Sequence, residues 1–188
     1  MNYRRNVSGL LLIVGLIFST TAIAQKSKTV GGAEMYPDKN IVENAVNSKD
    51  HTTLVAAVQA ADLVEVLKSE GPFTVFAPTN TAFEALPSGT VEGLLKPDEI
   101  SKLQSVLKYH VIPGDLSQKD LKKMIKKASG EAKIATVQGD QLTLTREKGD
   151  IVITDFNGNK SSITIGDVAQ SNGVIHVVDG VMIPEFRF

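Results

Sequence analysis

The chain has 188 residues, 20 basic and 21 acidic, for a net charge of −1. That balance lacks the basic footprint of a nucleic-acid binder. There are no cysteines, which excludes disulfides, a thiol nucleophile and thiolate metal ligands.

Arg4 and Arg5 precede an apolar run from Leu10 to Phe18, and Ala22-Ile23-Ala24 follows. The basic, apolar, small-x-small order is that of a secretory signal peptide over 1–24. The run is short for a bilayer span, and no later stretch is long enough to make one. The expected product starts at Gln25, enters the periplasm or the extracellular space, and has about one domain's length. Residues 25–39 contain Gly31-Gly32 and Pro37 without periodicity, and read as a polar leader.

The domain proper is expected over 40–186. Asn40 before Ile41-Val42-Glu43 predicts a capped helix. Asp50 is placed to cap a second helix carrying Leu54, Val55 and Val58. Leu63, Val64, Val66 and Leu67 extend the apolar surface to Gly71-Pro72, where a helix must stop. Phe73 to Ala77 is β-prone, Pro78 ends it, and Thr79 can cap a short helix with Phe83 and Leu86. Pro97 opens another helix, with Asp98 and Glu99 at its positive end. Ile100, Leu103, Val106 and Leu107 share one face of it.

After Gly114 the local code is denser. Ser117 and Asp120 have capping-box spacing, and Leu116 and Leu121 occupy the staple positions. Leu121, Met124, Ile125 and Ala128 recur at helical spacing. Lys119, Lys122, Lys123, Lys126 and Lys127 crowd the same segment. Such a stripe is either a solvated face or a contact for polyanions, an acidic polysaccharide or anionic lipid headgroups.

From residue 132 the pattern becomes alternating. Leu142 and Leu144, Ile163 and Ile165, and Val174 to Val178 mark strands. Gly149-Asp150, Asn157-Gly158 and Asn172-Gly173 mark turns. Lys148-Gly149-Asp150 is read as such a turn, although the tripeptide also occurs in integrin ligands. Helices first and an antiparallel sheet afterwards predict an α+β fold.

Few residues assemble into chemistry. Ser171, His176 and Asp179 have the types of a triad. His176 and Asp179 are three apart, however, on opposite faces of any strand containing both. No nucleophile elbow, P-loop or dinucleotide motif is present. Asp155-Phe156-Asn157-Gly158-Asn159 begins like a calcium loop. It then has Lys160 and Gly166 where Gly and Glu are required. Three histidines, His51, His110 and His176, without cysteine predict no structural zinc and no cofactor. Asn159-Lys160-Ser161 spells a glycosylation acceptor.

Three segments carry a family resemblance: GPFTVFAPTNTAFEALP over 71–87, Lys108-Tyr109-His110-Val111, and SNGVIHVVDGVMIP over 171–184. Their order and content resemble a fasciclin-like (FAS1) domain of the secreted bacterial type, over about residues 40–186. The resemblance implies a twisted β-sandwich or wedge with helices along one side. It implies a non-catalytic adhesion or matrix module with a cell-surface protein or polysaccharide as partner. Self-association would supply a second binding surface. Thr79 and Asn80 match the first motif, Tyr109 and His110 the central one, and His176 the last. In animal relatives the Tyr-His region is associated with integrin-dependent adhesion. Here Val106, Leu107, Val111 and Ile112 flank it, so His110 is expected partly buried, its ring nitrogens satisfied locally. A secreted small-ligand-binding or signalling module is the alternative function, and a hydrolase a more distant one.

Overall fold

The computed structural model describes residues 27–186. The signal segment at 1–24 lies outside the described residues. Two short strands open the structure, β1 (Lys28–Val30) and β2 (Ala33–Met35), paired antiparallel across Gly31-Gly32. The segment read as a polar leader is therefore partly core. Val30 and Met35 are buried against the main sheet. A three-residue strand shows one buried side chain, too short a signal for periodicity.

Helices α1 (Ile41–Ala45), α2 (Thr52–Ala60) and α3 (Val64–Lys68) follow. Asn40 caps α1 through a full capping box with Glu43. Asp50 does not cap α2: it lies in a 3₁₀ turn, Lys49–His51, and no local side chain caps either element. Val66 points outward and is half exposed, so the apolar surface of α3 is narrower than its composition predicts.

Strand β3 (Phe73–Pro78) leads into α4 (Asn80–Glu84), capped by Thr79. Then come α5 (Thr90–Leu94), a 3₁₀ turn at Pro97–Glu99, and α6 (Ile100–Tyr109). Strand β4 (Val111–Pro113) precedes α7 (Gln118–Lys127). The capping box of Ser117 and Asp120 is formed. Leu116 packs against the cluster containing Leu121, as a staple requires.

Five strands complete the chain: β5 (Glu131–Ala135), β6 (Gln141–Glu147), β7 (Asp150–Thr154), β8 (Lys160–Gln170) and β9 (Gly173–Val178). The β6–β7 hairpin turns on Lys148-Gly149, both at positive φ, one residue before the predicted pair. The sheet order is β4-β3-β9-β8-β7-β6-β5. It is mixed, because β3 runs parallel to β9. An antiparallel sheet confined to the second half is thus corrected: two strands from the helical half close its edge. Gly173 permits the close approach. A Cβ there would stand 1.9 Å from the Phe73 carbonyl oxygen.

The fold is α+β, a sheet core with helices packed on it. Register shifts along the eleven-residue β8 let it pair with β9 at one end and β7 at the other. The two halves of the sheet then share one core. Phe76, Ile112 and Val178 from one half meet Leu142, Leu144, Ile151 and Ile153 from the other, with Leu121 and Ile125 of α7. The opposite face of β3 and β9, carrying Val75, Ala77, Ile175 and Val177, packs on the N-terminal hairpin and α1.

Candidate functional site

Of the family-motif residues, Tyr109, His110 and His176 are buried and Thr79 and Asn80 half-buried, and all five bond backbone groups. Thr79 accepts from the Ala82 amide at 3.3 Å and starts α4. Asn80 reaches across to α2. Its Oδ1 accepts from the Thr53 amide at 3.0 Å and the Thr52 hydroxyl at 3.2 Å, and its Nδ2 donates to the Lys49 carbonyl at 2.9 Å. Asn80 thereby does for α2 what Asp50 was expected to do.

Tyr109 is fully buried at the end of α6, and its hydroxyl donates to the Gln141 carbonyl at 2.9 Å. Burial pushes its phenol up to about 12. The next residue, His110, caps α6 and is also buried. Its Nδ1 lies 2.8 Å from the Val106 carbonyl, and its Nε2 is 3.0 Å from the Met182 amide. The Met182 N–H can only donate, so Nε2 is the acceptor and Nδ1 carries the proton. Burial lowers the His110 pKa to about 4 and keeps the ring neutral.

His176 has the opposite tautomer. Its Nδ1 accepts from the Asp167 amide at 3.1 Å, so Nε2 carries the proton and donates to the Leu116 carbonyl at 2.8 Å. It is fully buried, and burial lowers its pKa as well. Its ring tilts against Phe76 with centroids 5.8 Å apart. No triad is assembled. Both ring nitrogens of His176 face backbone groups, and Asp179 accepts from the Ser162 amide at 2.6 Å.

The described structure adds polar anchors that sequence reading missed. Thr74 is buried in β3, donates to the Gly114 carbonyl at 2.7 Å and accepts from the Leu116 amide at 2.9 Å. Asn172, read only as a turn residue, accepts from the Ile41 amide and donates to the Leu67 and Ser69 carbonyls. Asp155 closes the calcium-loop look-alike. It accepts from the Asn157 and Asn159 amides, the Asn159 side chain and the Ile183 amide. The Asx-turn pattern at Asp155 was a usable signal for its local half. Nothing local marks the bond to Ile183.

Among the predicted site residues, the lysines of α7 face solvent. Lys119, Lys123, Lys126 and Lys127 are exposed and Lys122 is half-buried. At 3.6 residues per turn the five spread over an arc of about 140°. Leu121 and Ile125 lie buried on the other side. Among the described residues no ion pair involves any of the five. Asp120, at the start of the helix, is held below its usual range mainly by the Ser117 hydroxyl, with Lys123 and Lys119 adding to it. The face concentrates positive charge, offset in part by Asp120 at the start of the helix.

Comparison with known proteins gives this arrangement relatives. Residues 49–184 match the family described as the fasciclin domain. A Synechocystis protein, sll1483, is 46% identical over 160 residues, covering 85% of this chain and 82% of its own. The transforming growth factor-beta-induced protein ig-h3 of Sus scrofa is 35% identical over 131 residues. The match covers 70% of this chain but 17% of that protein. The immunogenic protein MPT70 of Mycobacterium tuberculosis is 33% identical over 145 residues, with 74% and 66% covered. Among solved structures, a FAS1 domain pair from the insect cell adhesion molecule fasciclin I superposes with a TM-score of 0.66. Identity there is 23%, covering 80% of this chain and 52% of that one.

Proposed function

The chain belongs to the fasciclin (FAS1) domain family, and from that premise we propose that it is a secreted, non-catalytic adhesion module. Its partner is an anionic cell-surface or matrix polysaccharide, and the exposed face of α7 is the contact. The observation that carries this reading is the set of five lysines on one helix without an ion-pair partner among the described residues. A near-neutral chain that gathers a quarter of its 20 basic residues on ten positions creates a local field that its net charge hides. The Tyr109-His110 motif is then a structural element, because its polar atoms are directed at backbone and its rings are buried. Adhesion by a single weak site requires multivalency, so self-association belongs to the proposal. The test is retention of the purified protein on immobilised anionic polysaccharide at low salt; free passage would overturn the assignment of this face.

The fold relationship to a cell adhesion molecule supports the same class of work, as an analogy of architecture. A catalytic reading finds no support in the placement of Ser171, His176 and Asp179.

A further inference from the structure

The chain has two Asn-Gly pairs, Asn157-Gly158 and Asn172-Gly173, and the fold treats them in opposite ways. In such a pair the asparagine side chain is open to attack by the next backbone nitrogen, because glycine has no side chain to obstruct the approach. The reaction is spontaneous and consumes only water. The Gly nitrogen loses its proton and bonds to the Asn Cγ, and Nδ2 leaves as ammonia. Water then opens the five-membered imide at either carbonyl, giving aspartate or isoaspartate, with no change of oxidation state. The fold controls whether the Asn side chain is free to turn and whether the Gly amide meets solvent.

Asn172 is locked. Its Oδ1 accepts from the Ile41 amide at 3.0 Å, and its Nδ2 donates to the Leu67 and Ser69 carbonyls at 2.8 and 3.0 Å. Turning its Cγ toward Gly173 breaks all three bonds. Gly173 is buried in β9, tight against Phe73, with little freedom to move toward that carbon. Asn157 is loose. It sits in the exposed turn between β7 and β8, and Phe156, Gly158 and Asn159 around it are exposed too. One bond holds its side chain, from Nδ2 to the Ile183 carbonyl, and at 3.3 Å it is long. A carbon added to Gly158 would meet nothing within 4 Å. The Gly158 amide donates to the Asp155 carbonyl at 3.1 Å, and that bond must open for the proton to leave. It closes a single turn in solvent, so it opens locally and leaves both strands paired.

We propose that Asn157 is a site of spontaneous deamidation, and that its isoaspartyl product loosens the C-terminal segment. Isoaspartate carries the main chain through the former side chain. It adds one methylene between positions 157 and 158 and frees a new carboxylate. In the unmodified chain Asp155 Oδ1 holds the amides on both sides of that insertion, Asn157 at 2.9 Å and Asn159 at 2.8 Å. A longer path between them breaks this pair. The new charge also repels the Asp155 carboxylate, whose Oδ2 holds the Ile183 amide at 2.9 Å. Age thus acts on the C-terminal segment through Asp155.

The test is incubation of the purified protein in mildly alkaline buffer made with heavy-oxygen water, followed by trypsin and mass spectrometry. The two pairs fall in separate peptides, residues 149–160 and 161–187. Product formed during the incubation carries heavy oxygen, which separates it from product formed in the digest. Folded protein should convert Asn157 at least about tenfold faster than Asn172, because one buried hydrogen bond is worth about that factor and Asn172 has three. In urea-unfolded protein neither side chain is held, and the two rates should converge. Aged protein should show faster hydrogen exchange at the Ile183 amide and a lower melting temperature, and aged Asn157→Gln should show neither change. If that variant does not fold, aged against fresh wild type decides. Equal rates in the folded state, a faster Asn172, a difference that persists in urea, or an Asn157 that stays intact while the unfolded chain converts would each overturn the site. Unchanged Ile183 exchange in fully converted protein would overturn the loosening.

Discussion

His110 holds the backbone of Met182, accepting its amide proton at 3.0 Å across 72 positions of sequence. The adjacent amide, Ile183, goes to Asp155 at 2.9 Å. Two buried acceptors from separate parts of the fold thus fix successive residues of the C-terminal segment. That segment has no sheet partner of its own, and its amides would otherwise be orphaned beside the core. Val181 and Met182 are buried there, so the clasp also positions apolar groups.

Replacing His110 with Ala leaves the Met182 amide and the Val106 carbonyl without partners. A buried group left unsatisfied costs about 1–3 kcal/mol. The melting temperature should fall while retention on anionic polysaccharide, measured below the transition, stays unchanged. Lost retention with an unchanged melting temperature would place His110 on the recognition surface.

The same residue predicts a pH dependence. The His110 pKa is lowered to about 4 in the fold, against an ordinary 6.5. Between those values the unfolded chain binds the extra proton, so stability rises with pH across the window. The contribution is complete above about 6.5, is lost as pH falls, and saturates below about 4. Its full size is about 3 kcal/mol. His176 and His51 are shifted in the same direction and add the same sign. Urea midpoints should drop from pH 7 to pH 5, with a smaller drop in His110→Gln. An equal drop in the variant would remove His110 from the account.

Asn80→Ala tests the bridge to α2. The variant deletes three bonds, to Thr52, Thr53 and Lys49, at an N-terminus with no local cap. Loss of a cap costs about 0.5–2 kcal/mol. Hydrogen exchange should accelerate in the first turn of α2 and stay unchanged in α7, whose box is self-contained. Uniform acceleration in both helices would indicate a global effect.

This contrast explains what was legible in the sequence. Helix α7 could be read almost residue by residue, because Ser117, Asp120, Leu116 and Leu121 act within five positions of one another. The burial of His110 was legible from its aliphatic flanks, and so was one of its bonds, to Val106 four residues back. The other bond joins residues that only the folded sheet brings together. Asn80 failed the same way: its motif advertised a local turn, while its amide serves a helix 27 positions earlier. The parallel pairing of β3 with β9 carries no local code. Gly173, where a side chain would strike Phe73, is its only trace, and it was read as a turn. The strands β1 and β2 are too short to show a period.

Export predicts a defined N-terminus. The basic, apolar and small-residue order of residues 1–24 places cleavage after Ala24. Intact mass of protein recovered outside the cytoplasm should correspond to a chain starting at Gln25. Recovery of a product that keeps Met1 to Ala24 would overturn it.

The lysine face gives the most direct test of function. Lys122 and Lys126 are one turn apart, as are Lys123 and Lys127, so their charges reinforce over one surface. Exposed charges are screened within about 8 Å at physiological ionic strength. Retention on an anionic polysaccharide should therefore fall steeply with added salt. Replacing these four lysines with Gln should abolish retention at every salt concentration. The helix should survive, because Gln is a comparable helix former and the capping box, the staple and the buried Leu121 and Ile125 are untouched. Circular dichroism and the melting temperature check that survival. Replacing Lys39, Lys49, Lys68 and Lys96 instead removes the same net charge from scattered positions. If the local field of α7 matters, that variant keeps its retention. Equal loss in both variants would mean that net charge alone does the work. Full retention by the α7 variant would leave the stripe as a solvated face with no partner.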